Sequence, residues 1–417
     1  MTHAQTKSAD WTVPAHVPPE LVYDIDYFNV PDVEKDPQAA WLRVRDAAPR
    51  IFYTPRNGGH WIVTRASDVQ EVLGDAVRFS SYPNAIPRGL LMGPYPQPPT
   101  GADPPESLAY RALLMPYFSP GAVKRLEGFV RSLTVELIEE LRPRGQCEFV
   151  SEFGQRMPIG IFLRIMGLPD SDRKMLIDLA FQRVRGKTQE ERLAGLRAVQ
   201  AYADGVIAER RAAPRDDLLS HIANGQINGT LIPLDQARSM TVTALFAGLD
   251  TVVNSLAMTT RHLAVHPEQR RELIDNPELV GPAVDELLRR FSGPNIVRCS
   301  KADQEFGGVF MRAGDQILNI VTLTGLDSEA YPSPLEVDFH RGRSPVTGFG
   351  AGAHRCVGSH LAKLETQVFL QEWLGRIPEF ALDPERPPVG SGGAVPGLVS
   401  LSLTWDPATT TARPLGG

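Results

Sequence analysis

Between residues 50 and 65, two runs of aromatic and β-branched side chains flank Asn57-Gly58. That pattern predicts a β-hairpin, because a period of two buries one face of each run and an Asn-Gly pair tolerates the positive φ of a tight turn. Shorter strand-like pieces recur at 305–310, 316–321 and 398–405. Residues 106–292 instead repeat their apolar positions at helical spacing, so helices outweigh strands and the expected fold class is mainly α. Within that stretch, residues 235–266 contain no proline and their middle is apolar on every face. They predict one helix of ~45 Å crossing the interior. Residues 83–105 hold eight prolines and predict a long irregular loop acting as a lid or pocket wall. With no repeat and no linker, the expectation is a single domain over 1–417, with a flexible segment at 1–19 and a tail at 406–417.

Composition narrows the functional classes. A net charge of -6 and a pI near 5.9 argue against a nucleic-acid surface, which shows a basic excess or stripe. The three cysteines, Cys147, Cys299 and Cys356, include no CxxC pair, which fits a reducing, cytoplasmic compartment better than a disulfide framework. Neither a signal-peptide core nor a run of 18 apolar residues is visible, so no export and no membrane anchor is expected. A monomer is expected.

Three segments carry chemistry. Phe349-Gly350-Ala351-Gly352-Ala353-His354-Arg355-Cys356-Val357-Gly358 runs directly into a helical pattern beginning at Ser359. This places Cys356 at a helix N-terminus, where unpaired N–H groups and the positive dipole end favour a thiolate, and the glycines let backbone approach a flat partner. A lone cysteine is most often a buried, inert one; the ten-residue pattern outweighs that reading. In the long helix, Ala247-Gly248-Leu249-Asp250-Thr251 inserts a glycine costing ~1 kcal/mol, an acid and a hydroxyl into an apolar core. A packing notch with an ion-pair partner is the bland alternative. Glu286 and Arg289 share one helix face, a spacing that by itself is usually a weak surface pair.

Phe-Gly-x-Gly-x-His-x-Cys-x-Gly resembles the haem-binding signature of the cytochrome P450 superfamily, and the pentapeptide and then the Glu-x-x-Arg pair precede it in that family's order. The resemblance implies a triangular helical prism with a small β region and a buried haem b ligated by Cys356, whose thiolate favours O–O cleavage. Phe349, Gly350, Gly358 and His354 belong to the cofactor-binding loop. Asp250 and Thr251 would manage protons, with Arg185 as the surface partner of Asp250. Glu286, Arg289 and Arg341 would form a structural ion network.

The segments Gly58 to Ile62, Leu249 to Asn254, Glu286 to Ser292 and Trp405 to Thr410 are similar to the bacterial camphor hydroxylase (camphor 5-monooxygenase) family. That likeness covers nearly the whole chain. It implies that Arg111, Arg298 and His354 hold the haem propionates, which suits carboxylate groups. Tyr95 would hydrogen-bond a substrate ketone, and Ile86, Thr100, Thr243, Phe246, Ala247 and Val395 would line the substrate pocket. Thr243, Phe246 and Ala247 replace aliphatic residues and a glycine of that family, and Ile86 replaces an aromatic, which implies a pocket of different shape. Ile296 replaces an acid near a propionate, while Pro83 and Gly93 replace two glutamates, so no specific potassium site is expected. The expected substrate is a small terpenoid ketone, camphor-like or ionone-type.

The chain shows no G-x-G-x-x-G fingerprint at a strand–helix junction, so neither flavin nor nicotinamide is expected to bind it. Electrons for dioxygen activation would come from a two-iron ferredoxin with a separate reductase, docking on a basic face of Arg343, Arg355 and Lys363. The rival reading is a non-catalytic haem-thiolate sensor or ligand-binding protein, which would not need Asp250 and Thr251.

Overall fold

The computed structural model describes residues 12–90, 97–185, 188–248, 250–291, 293–342 and 347–415; for Arg185 and Phe246 it describes the helical backbone alone. The fold is mainly α, with small sheets at the margins. The hairpin forms as Ile51–Thr54 against His60–Val63, and Asn57 and Gly58 take positive φ of 55° and 92° in the connection. It is one edge of a five-stranded sheet that continues through Gln316–Asn319 and Ile296–Ser300 to Phe79–Ser80. Arg298 lies in that sheet in register with Ile317. The 305–310 piece becomes a two-stranded hairpin, Gln304–Phe306 with Val309–Met311, and 398–405 divides into Gly397–Ser400 and Ser402–Thr404. Inside the helical stretch, Gln146–Glu148 and the pair Gln226–Ile227 with Thr230–Leu231 are extended.

The single long helix is not what forms. Leu234–Ala247 and Thr251–Val265 are separate helices, and the interruption falls where the sequence places its poorest helix formers. Glycine gives up most backbone entropy in a helix, and short polar side chains compete for backbone groups. The Thr251 hydroxyl donates to the Ala247 carbonyl at 3.0 Å and the Ser255 hydroxyl to the Thr251 carbonyl at 3.1 Å. Side-chain bonds thus take over part of the ladder at the break.

The described parts of both terminal segments, 12–19 and 406–415, make specific contacts with the body of the fold. Within the 1–19 segment, Val17 is buried and the His16 ring sits 2.8 Å from Asp315 Oδ2. At the other end, the Thr411 and Leu415 N–H groups donate to the Arg376 and Gln371 carbonyls at 3.0 and 2.9 Å. The tail therefore docks on the helix Ser359–Arg376, hereafter the cysteine helix. That helix is held in the main core by an aromatic cluster of Phe149, Phe153, Phe369 and Trp373, with ring centroids 5.2–5.7 Å apart. Truncating such a buried ring costs ~3–5 kcal/mol.

Glu286 and Arg289 form a buried fork, at 2.7 and 2.8 Å, and Arg341 Nε reaches Glu286 Oε1 at 3.1 Å. Arg289 also donates to the Gly325, Pro334 and Glu336 carbonyls, and the Asp338 N–H donates to Glu286 at 2.9 Å. The weak surface pair of the bland reading is thus a desolvated knot that fixes residues 332–341 ahead of the cysteine loop. Each side-chain nitrogen and oxygen of the three residues has a partner, the condition under which a buried ion pair is tolerated.

Candidate active site

Two short 3-10 turns, Thr347–Phe349 and Gly352–His354, fold the cysteine loop back on itself, and the Cys356 N–H closes it by donating to the Phe349 carbonyl at 2.9 Å. Gly358 caps the cysteine helix, and a Cβ there would lie 3.8 Å from the sulfur. Gly350 holds a φ of 71°. Gly352, expected to face a flat partner, instead packs on the 66–74 helix, where a Cβ would stand 3.0 Å from Gly74. The Cys356 thiol opens into a cavity, yet protein surrounds it on nearly every other side. Burial pushes its pKa above the ordinary thiol value, against the Gly358 N–H and the charges of Arg111 and Arg355, which lower it. The N–H at the helix terminus thus favours the thiolate, as the sequence reading expects, while burial opposes it. A cation bound at sulfur removes the proton outright.

The cavity measures about 350 Å³. Its floor is Phe349, Cys356, Val357, Gly358 and Leu361; its roof is Thr243, Ala244, Ala247, Gly248 and Thr251 from the two helices around the break. At one side stand Arg111 and His354, with Arg298 close enough to His354 to act on its charge. Burial and these two guanidinium groups push His354 down to about 4, and burial brings Arg298 down to about 10. Arg111 donates only to the Arg355 carbonyl, at 2.6 Å, and Arg298 to the Val297 carbonyl, at 2.9 Å. Among the described residues neither forms a salt bridge, and His354 Nε2 is buried without a partner. Cations withdrawn from water without a counter-ion are costly; beside a sulfur-lined cavity the buried Arg298 and half-buried Arg111 fit an anionic macrocycle, whose carboxylates they and His354 would hold while Cys356 would ligate the iron.

Of the other expected pocket residues, Thr100, Thr243, Ala247 and Val395 line the cavity, as does Ile296. Ile86 does not: its side chain packs in the N-terminal core with Tyr27 and Val297, and the Tyr27 hydroxyl donates to its carbonyl at 2.6 Å. Tyr95 lies outside the described residues, and so do Gly93 and Arg343. The side chains of Phe246 and Arg185 are likewise outside the description, although Arg185 ends the helix Arg173–Arg185. Asp250 is half-buried immediately before Thr251 at the break. Of the expected basic face, Arg355 is exposed, whereas Lys363 is paired with Asp285 at 2.6 Å and so contributes little free charge.

Glu365 was not singled out from the sequence. It lines the cavity from the cysteine helix, and burial, the only influence on it, pushes it up to about 8. An acid in phase with Leu361, Val368 and Phe369 on the apolar helix face was the available signal.

The cytochrome P450 family model matches residues 170–388. A probable cytochrome P450 127A1 of Sinorhizobium fredii is 34% identical, covering 94% of this chain and 97% of its own length. The mycinamicin IV hydroxylase/epoxidase of Micromonospora griseorubida is 30% identical over 83% and 89%. The crystal structure of cytochrome P450 CYP101C1 superposes with a TM-score of 0.86 at 40% identity, covering 95% of this chain and all of that one. The chain belongs to the cytochrome P450 family. It is a haem b-dependent monooxygenase near the CYP101 group, and the sensor alternative falls with that finding.

Two predictions follow from the geometry. The ferrous carbonyl complex of the wild type should show the long-wavelength Soret band of thiolate ligation, and Cys356→Ala should lose it; an absorption spectrum decides. Glu365 keeps its proton in the folded state up to about 8, while the unfolded chain ionises near 4.5. Its stabilising contribution is therefore complete below the lower value and is lost as pH rises through the upper one. In denaturation of the haem-loaded protein across this window, Glu365→Gln should show a shallower alkaline decline, by up to one proton's slope of about 1.4 kcal/mol per pH unit.

Proposed function

We propose that this monooxygenase hydroxylates an unactivated C–H bond of a small apolar terpenoid ketone, an ionone-type norisoprenoid or a camphor-like monoterpenoid. The observation that carries this reading is the roof of the cavity. Met240, Ala244, Ala247 and Val395 offer it apolar surface, interrupted by the hydroxyls of Thr100, Thr243 and Thr251. Such a lining suits an apolar body with one or two polar atoms. The Thr243 hydroxyl is buried without a partner, so rotation about Cα–Cβ toward a substrate carbonyl would relieve ~1–3 kcal/mol of unmet hydrogen bonding. Tyr95 would supply a second donor.

Bound haem supplies the oxygen and electron chemistry. The protein's own residues then have three tasks. Arg111, Arg298 and His354 hold the carboxylates, and Cys356 with the Gly358 N–H holds the sulfur position. The apolar roof excludes water from the reacting carbon. Thr251 can donate and accept at the helix break, and Asp250 passes protons toward it from the surface side, with Arg185 as the exchange partner. Electrons come from a two-iron ferredoxin reduced by a separate reductase, which would meet the exposed Arg355 side of the cysteine loop. The reading places the enzyme in the cytoplasm, consistent with three free cysteines.

A panel of terpenoid ketones should contain at least one that shifts the Soret band from low to high spin and yields a hydroxylated product with ferredoxin and reductase. Failure of every ketone beside success of non-terpenoid ligands would sink the substrate reading. With the best ketone, Thr251→Ala should keep binding substrate and consuming NADH but divert reducing equivalents to hydrogen peroxide. Asp250→Asn should instead slow turnover by ~10²-fold or more with much less peroxide, because proton supply becomes limiting. Wild-type rate and coupling in both variants would return the segment to a packing role.

A further inference from the structure

Val389–Ser391 and Gly397–Ser400 pair antiparallel with Ser391 opposite Gly397, and the turn between them carries Val395 into the cavity. No third strand extends this pair among the described residues, and an isolated two-stranded hairpin is marginal by itself. Its turn is held from outside. The Gly393 N–H donates to the Tyr27 carbonyl at 3.0 Å. Asn295 donates twice, its backbone N–H to the Ala394 carbonyl at 2.7 Å and its Nδ2 to the Gly393 carbonyl at 2.9 Å. From the opposite side Asn254 Nδ2 donates to the Pro396 carbonyl at 2.9 Å, and its Oδ1 accepts the Leu398 N–H at 3.2 Å. Both asparagines are buried, at 6% and 7% exposure. A Cβ on residue 397 would stand 1.5 Å from Asn254 Oδ1, so only glycine lets the amide lie against the strand.

We infer that Asn254 and Asn295 are positioning residues that grip the backbone on both sides of Val395 and set how far its side chain reaches over the bound substrate. The carbonyls immediately before and after Val395 are the ones gripped, which leaves that side chain little freedom to retreat. Asn254 closes the first turn of the helix that Thr251 opens, so the brace on the pocket wall and the Thr251 segment belong to one element. The inference rests on the cavity being the substrate pocket.

The test uses haem-loaded protein and two iron-binding probes of different reach, imidazole and 4-phenylimidazole, titrated spectrally. In Asn295→Leu and in Asn254→Asp, which keeps the acceptor but loses the donor to Pro396, the affinity for 4-phenylimidazole should change roughly fivefold while that for imidazole changes less than about twofold. In a Val395→Ala background the same substitutions should leave the ratio of the two affinities unchanged, because no side chain remains to be misplaced. Hydrogen exchange at residues 393–398 should quicken in both single variants. An unaltered affinity ratio in the single variants, or a shift that persists undiminished without the Val395 side chain, would overturn the inference. The azole ratio does not depend on which ketone is the substrate. If no ketone binds but the ratio moves as expected, the substrate reading fails and the clamp stands.

Discussion

A thiol that faces a cavity, two arginines without carboxylate partners and a neutral histidine are gathered around one site. Each loses hydration on burial and is left with little in return: Cys356 is pushed above its ordinary pKa, His354 and Arg298 below theirs. That imbalance is the constraint on which the rest of the structure depends. A bound haem would relieve it, Cys356 meeting the iron and Arg111, Arg298 and His354 the carboxylates, so that cofactor binding and stability would be linked.

Holding such a cavity open requires rigid walls, and three separate devices supply them. The aromatic cluster around Phe369 and Trp373 anchors the cysteine helix from behind. The Glu286–Arg289–Arg341 knot fixes the chain that leads into the cysteine loop. The break between Ala247 and Thr251 turns the roof from a continuous apolar helix into one that presents a hydroxyl and a half-buried carboxylate at a defined place. The first two consist of fully used contacts, whereas the third gives up helix propensity. Local structure has been surrendered where chemistry is needed, which is where strain is expected to collect.

The same break bears on selectivity. Asn254 follows Thr251 by one helical step and reaches across to the strand beginning at Gly397, so the element that presents the hydroxyl also braces the turn that carries Val395. With the roles proposed for Thr251 and Val395, pocket shape and proton handling would be coupled through this one helix.

What the sequence by itself determined was whatever depends on neighbours along the chain. The hairpin around Asn57-Gly58, the cysteine at a glycine-rich helix start and the Glu286–Arg289 spacing are all local patterns, set by residues a few positions apart. The ten-residue cysteine loop was legible enough to name the cofactor. Tertiary structure decided the rest, because burial and partners come from distant segments. It moved Ile86 out of the pocket into the N-terminal core, docked the 406–415 tail and paired Lys363 with Asp285. It also made Glu365 a buried neutral acid. None of these could be read from periodicity: a one-dimensional pattern reports which face is apolar, but the energy of a charge or a hydroxyl is set by the groups that surround it in space.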